Sequence, residues 1–187
     1  MIYNDDTLIE RLKLMLKEGT FRHADHSWVK EMANPPASPD DLLRAETLLG
    51  YPLPSLLRRI YLEVANGGIG PGLGLVPLFT HEGQDPYEDY SLVDTTLWEY
   101  RYRSWPEKVC LICHWGCAIL SIMDCSQPEY PVLREYGSDD EEDPHVLEAL
   151  SLLQWFQNWL DRKPMFNFNG IYSSPWDSES SETENNI

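Results

Sequence analysis

Two apolar runs, VCLICH at 109–114 and CAILSIM at 117–123, are separated only by Trp115 and Gly116. Runs of this length around a short glycine-containing break predict two strands joined as a hairpin. A lone hairpin is marginal in water, so the rest of the chain must supply something for it to pack against. The flanking sequence reads mostly as helix. Leu8, Leu12, Met15 and Leu16 recur at helical spacing over 5–18, and Gly19 is a natural stop. Ser38 is an N-cap, Pro39 suits the first helical position, and Asp40 and Asp41 complement the positive end of a helix that closes at Gly50.

Pro54 can open a third helix with Leu56, Leu57, Ile60, Tyr61 and Val64 inside and Arg58, Arg59 and Glu63 outside; Asn66, Gly67 and Gly68 end it. The run GLVPLF at 74–79 is short and apolar enough for a strand, and Tyr90, Val93, Leu97 and Tyr100 place a helix over 90–102. PVLREY at 131–136 reads as a further strand at the sheet edge, where proline is tolerated. The segment 146–163 predicts a last helix with Leu147, Leu150, Leu153, Phe156, Trp159 and Leu160 on one face. The polar, acidic end of the chain is expected to be a disordered tail.

Helices, then strands, then a helix, without βαβ alternation, predict an α+β fold: one domain with a mainly antiparallel twisted sheet and helices packed on one side. The 187 residues suffice for one domain. The chain divides into an N-terminal helix and connecting loop (1–37) that belong to the domain, a core (38–163), and a C-terminal extension with the acidic tail (164–187).

Fourteen Lys and Arg against thirty-one Asp and Glu give a net charge of −17. Phosphate binding draws on clustered cations, so the balance argues against direct contact with nucleic acid and against an anionic membrane surface. It favours steering toward a basic macromolecule. Acids near the N-terminus and the lack of a long apolar run predict a cytoplasmic, reduced chain.

The pattern C-x-x-C-H at Cys110–His114 matches a haem-attachment signature. With Cys117 and Cys125 the same residues could supply four soft zinc ligands. Their apolar neighbours instead favour buried strand cysteines, because cysteine packs like a small hydrophobe. The glycines of NGGIGPGLG (66–74) follow a helix and precede a strand, the reverse of a nucleotide-binding loop. His23, Asp25 and His26 form an isolated cluster that reads as a solvated loop. Five consecutive acids, Asp139, Asp140, Glu141, Glu142 and Asp143, repel one another and lack the distinct environments that acid–base catalysis requires. The reading is of no catalytic residues, no cofactor and no metal.

The segment AETLLGYPLPSLLRRIYLEVANGG (45–68) resembles the N-terminal signature of the SMI1/KNR4 family, core of the SUKH superfamily, through Glu46, Leu49, Gly50, Leu53, Pro54, Tyr61, Asn66, Gly67 and Gly68. The block WPEKVCLICHWGCAILSIMD (105–124), with Gly116 and Asp124, and the terminal WFQNWLDR (155–162) are similar to the family's later blocks in the same order. The resemblance spans Ser38–Arg162. It implies a non-catalytic binding scaffold whose signature residues are architectural. Bacterial members are mostly immunity proteins encoded beside polymorphic toxins, many of them nucleases, and fungal members are regulatory hubs. The implied partner is a protein, a basic toxin domain. Candidate contacts are Asp85, Tyr87, Glu88, Asp89 and Tyr90 in one loop and Asp139–Asp143 in another, since tyrosine beside acid suits an interface. Two alternatives stand beside this reading: a regulatory scaffold for a cellular enzyme, and a zinc-binding protein built on Cys110–Cys125.

Overall fold

Capping chemistry sets the first two helices. Asn4 accepts the Thr7 amide at 2.9 Å while the Thr7 hydroxyl accepts the Asn4 amide at 2.8 Å, starting α1 (Asp5–Glu18). Ser38 accepts the Asp41 amide at 3.1 Å and starts α2 (Pro39–Leu49). Both end on a left-handed glycine, Gly19 and Gly50. The computed structural model describes residues 3–19, 32–80, 89–103, 105–136, 145–163 and 165. The remaining elements are α3 (Ser55–Glu63), α4 (Leu92–Tyr102), β1 (Val109–Gly116), β2 (Ile119–Asp124), β3 (Val132–Tyr136), β4 (His145–Ala149) and α5 (Leu152–Leu160). His23, Asp25 and His26 lie outside the described residues, as does the C-terminal extension apart from Met165.

The strands form one antiparallel sheet in the order β1-β2-β3-β4, so the architecture is α+β. Successive strand residues point to opposite faces. Val109–Cys113 in β1 and Ile119–Met123 in β2 are nonetheless buried without a break, so these two strands are covered on both faces, a wider cover than one-sided packing. Tyr61, Trp155 and Phe156, among the largest fully buried side chains, join the sheet to α3 and α5 in one core.

Four local expectations are corrected. The run 74–79 makes no strand: only Leu75 bridges to Cys113, with the Val76 amide donating to the Ile112 carbonyl at 3.0 Å. Pro77 follows, and with no N–H it cannot extend the ladder. The hairpin turn is Cys117–Ala118, both left-handed (φ 51° and 59°), and Trp115 and Gly116 belong to β1. Register shifts at Leu111/Cys113 and His114/Gly116 put extra residues into β1 and move the turn toward the C-terminus. β3 is an interior strand, and β4 takes the edge.

The last helix begins only at Leu152. Ser151 accepts the Gln154 amide at 3.1 Å and Gln154 Oε1 accepts the Leu150 amide at 2.8 Å, a start signal that cuts 145–149 off as β4. Leu147 and Leu150 are consequently exposed, while Phe156, Trp159 and Leu160 are buried.

Candidate functional site

One carboxylate ties together Thr80 and Ser91, on either side of 81–88. Asp94 Oδ2 accepts the Thr80 amide at 2.9 Å, the Thr80 hydroxyl at 3.2 Å and the Ser91 hydroxyl at 3.0 Å. Ser91 in turn caps α4 by accepting the Asp94 amide at 3.1 Å. Just inside this clamp, the Leu92 amide donates to the Pro77 carbonyl at 2.8 Å and the Val93 amide to the Leu78 carbonyl at 3.0 Å. Residues 77–80 and 91–94 are thus tied together at the first turn of α4.

At the end of this loop Asp89 is exposed, and half-buried Tyr90 stacks on His114 of β1 with ring centroids 4.7 Å apart and planes at 28°. Burial pulls the His114 imidazole below its ordinary range, favouring the neutral ring in this stack. His114 is in register with Leu120 of β2, Leu120 with Glu135 of β3, and Glu135 with His145 of β4. Directly opposed residues share a sheet face. Tyr90 and His145 therefore mark the two ends of one cross-strand row.

The acidic insert leaves β3 after Tyr136 and re-enters at His145, so its stems sit on that same row. Asp85, Tyr87, Glu88 and Asp139–Asp143 lie outside the described residues, and Tyr90 and Asp89 represent their candidates here. The Cys117–Ala118 turn lies at the same end of the sheet, since Ile119 pairs with both Gly116 and Tyr136.

Beside His145 is a buried carboxyl pair that sequence reading missed. Glu135 faces His145 Nε2 at 3.9 Å, and Glu99 of α4 faces Arg103 Nε at 3.8 Å. Both contacts exceed hydrogen-bond length, leaving Glu99 Oε2 and Glu135 Oε2 buried without a hydrogen bond. Burial pushes the Glu99 carboxyl up to about 7, opposed by Arg103 and reinforced by Glu135. Burial also raises Glu135.

The cysteines divide by environment. Cys110 and Cys113 are buried in β1, Cys125 is half-buried and Cys117 exposed. The Cys113 sulfur donates to the Pro71 carbonyl at 3.2 Å, and burial pushes its thiol well up, against thiolate chemistry. Among the described residues, no three His, Cys, Asp or Glu side chains converge as a metal site. No helix among them is long and apolar enough to cross a membrane.

The signature residues hold the scaffold behind this surface. Glu46 accepts the Leu53 amide at 2.8 Å and meets Arg58 at 3.4 Å, fixing the α2–α3 turn that Pro54 leads into α3. The Tyr61 hydroxyl donates to the Val76 carbonyl at 2.8 Å inside the core. Asn66 Oδ1 accepts the Leu78 amide at 2.9 Å, and a Cβ on Gly67 (φ 91°) would sit 2.7 Å from the Pro77 nitrogen. Gly68 is likewise left-handed and tight against the Met32 backbone. Gly116 ends β1 and Asp124 ends β2, where it accepts the Ser126 amide at 2.8 Å. The model of the SMI1/KNR4 family (SUKH-1) matches residues 36–161. The chain belongs to the SMI1/KNR4 (SUKH-1) family. No curated protein matches it as a relative. SUKH proteins are known as immunity and regulatory proteins, generally non-catalytic, and membership implies protein binding.

Proposed function

We propose that this SUKH protein is an immunity protein that neutralises a cognate toxin by stoichiometric binding, with a basic domain, possessing nuclease chemistry, as its partner. The observation that supports the proposal is the row from Tyr90–His114 to Glu135–His145, whose ends are the described residues that flank the two acid-rich segments. Neighbouring strands lie about 4.8 Å apart, so the stems in β1 and β4 are separated by roughly 15 Å. That is a small span beside the roughly 800 Å² a standard interface takes from each partner. A net charge of −17 supports a basic partner, because opposite charge raises the association rate and rejects wrong partners. A nuclease domain is basic because it must hold phosphates. Inhibition of this kind is occlusion of the toxin and requires no catalytic group from the inhibitor.

The test is to purify the protein with the toxin encoded beside its gene and measure inhibition against salt. A one-to-one complex whose association slows as salt rises is the expected result, with Tyr90→Ala weakening it at least about tenfold. A neighbouring gene product without toxicity, or inhibition indifferent to Tyr90→Ala and to salt, sinks the proposal. Capture of a cellular enzyme in place of a toxin selects the regulatory reading.

A further inference from the structure

The β1–β2 hairpin brings two sulfurs together at the end of the sheet away from the Tyr90–His145 row. Val109 pairs with Asp124, and one step further the Cys125 amide donates to the Lys108 carbonyl at 2.7 Å. Cys110 and Cys125 are therefore diagonal neighbours across the hairpin, and their Sγ atoms are 3.8 Å apart. Cys110 is buried, whereas Cys125 is half-buried and opens the turn that links β2 to β3. The hydrogen bond shared with Cys125 and burial both push the Cys110 thiol well up, so it rests as a thiol. The other two cysteines are placed differently: Cys113 is held against Pro71, and Cys117 is exposed at the opposite end of the hairpin.

We infer that Cys110 and Cys125 form a redox modification site, at which a peroxide converts the thiol pair into an intramolecular disulfide stapling β1 to the turn after β2. The half-buried sulfur of Cys125 attacks a peroxide oxygen, the O–O bond breaks, and Cys125 becomes a sulfenic acid as one water leaves. The Cys110 sulfur then attacks the Cys125 sulfur; the S–O bond breaks, and the Cys110 proton departs with that oxygen as a second water. Two thiols are oxidised and one hydrogen peroxide is reduced to two waters. Closing the sulfurs from 3.8 Å to a bond of about 2.05 Å takes under about 2 Å of motion, which the turn at Cys125 can absorb while β1 stays in its ladder.

The full chain carrying Cys117→Ser provides the test, since that change removes the exposed thiol and leaves three of the four cysteines. After graded hydrogen peroxide, free thiols are blocked under denaturing conditions and the digest is read by mass spectrometry. Titratable thiols should fall from three to one, with the Cys110 and Cys125 peptides linked within one monomer and released by dithiothreitol. Adding Cys125→Ser, at a half-buried position that leaves the core intact, should keep the Cys110 thiol free and abolish the link. Over-oxidation of Cys125 to sulfinic acid while Cys110 remains a free thiol would overturn the inference, as would a link between two chains. The site stands apart from the proposed interface, so neither result depends on finding a toxin.

Discussion

Arg134 and Glu135 are neighbours in β3, yet their side chains enter two unlike polar clusters on opposite faces of the sheet. Arg134 Nη2 meets Glu148 Oε1 at 2.7 Å, with the two side chains 8% and 1% exposed. The second Glu148 oxygen accepts the Ser121 hydroxyl at 2.8 Å and the Trp155 indole at 2.7 Å; Trp115 donates to Ser121 at 2.8 Å, and Arg134 also reaches the Met165 carbonyl at 2.7 Å. Burial raises the Glu148 carboxyl against the pull of Arg134 and these donors. On the other face, Glu135 and Glu99 repel one another and make long contacts to His145 and Arg103, with the Trp105 indole also drawing the Glu135 carboxyl down. One cluster is a paired network that fixes how β2, β3, β4 and α5 register in the core. The other gathers like charge beneath the stem of the acidic insert. A buried pair stabilises little by itself, but removing one partner leaves a charge stranded. Buried carboxyls held only loosely by their partners cost stability when ionised, and such groups cluster where something other than stability is served.

The most damaging way to break this contrast is Arg134→Met, which strands Glu148 and should cost about 3–5 kcal/mol in urea unfolding. Combining it with Glu148→Leu should recover much of that loss; no recovery would show that Arg134 acts alone. Ser121→Ala removes one donor to a buried carboxylate and should cost about 2 kcal/mol in the same measurement.

Glu99→Gln should act with the opposite sign. A carboxyl raised from 4.5 to about 7 holds its proton longer in the folded chain than in the unfolded one. Its favourable contribution is therefore whole below pH 4.5 and is lost as pH rises toward about 7. The glutamine variant should match the parent at pH 4 and exceed it by about 1 kcal/mol at pH 8, a modest figure because solvent screens part of the shift. Equal pH profiles for the two proteins would contradict the burial of Glu99. The smallest effect on stability is expected from Tyr90→Ala, about 0.5 kcal/mol by thermal melting, since Tyr90 is half-buried and stacks on one ring.

Much of the fold could be read wherever a local signal acts alone. Asn66 and two glycines end the α3 region because the turn tolerates little else, and Ser38-Pro39 starts α2 whatever its surroundings. Misreadings arose where two signals competed. Residues 146–149 fit a helical face and also a period of two, and the Ser151–Gln154 cap decides between them. Pro77 would have marked 74–79 as unable to extend a ladder. The bulges in β1 have no sequence mark, so the apolar pattern alone sets the turn at Trp115–Gly116 rather than at Cys117–Ala118.

The site was half legible. Acid and tyrosine in two segments could be seen, but the nearness of their flanking residues Tyr90 and His145 depends on His114, Leu120, Glu135 and His145 falling into one row, which is tertiary information. Asp94 carried a readable sign, three residues after Ser91 in a capping pattern, though its grip on Thr80 did not.

The Gln157 side chain donates to the Tyr3 carbonyl at 3.1 Å, joining α5 to the residue before the cap of α1 across 154 residues. By contrast, every strand of the sheet pairs with its neighbour in sequence. Sequential hairpins close short loops and form early, whereas a contact of such separation closes late. During synthesis, α1, whose buried face carries Leu8, Leu12 and Met15, can dock on α3 early but lacks its second neighbour, α5, until residues 152–160 have emerged. A chain stalled or cut before α5 would carry a formed sheet and an open helix face, and chaperone binding to such nascent chains should end when that helix clears the ribosome.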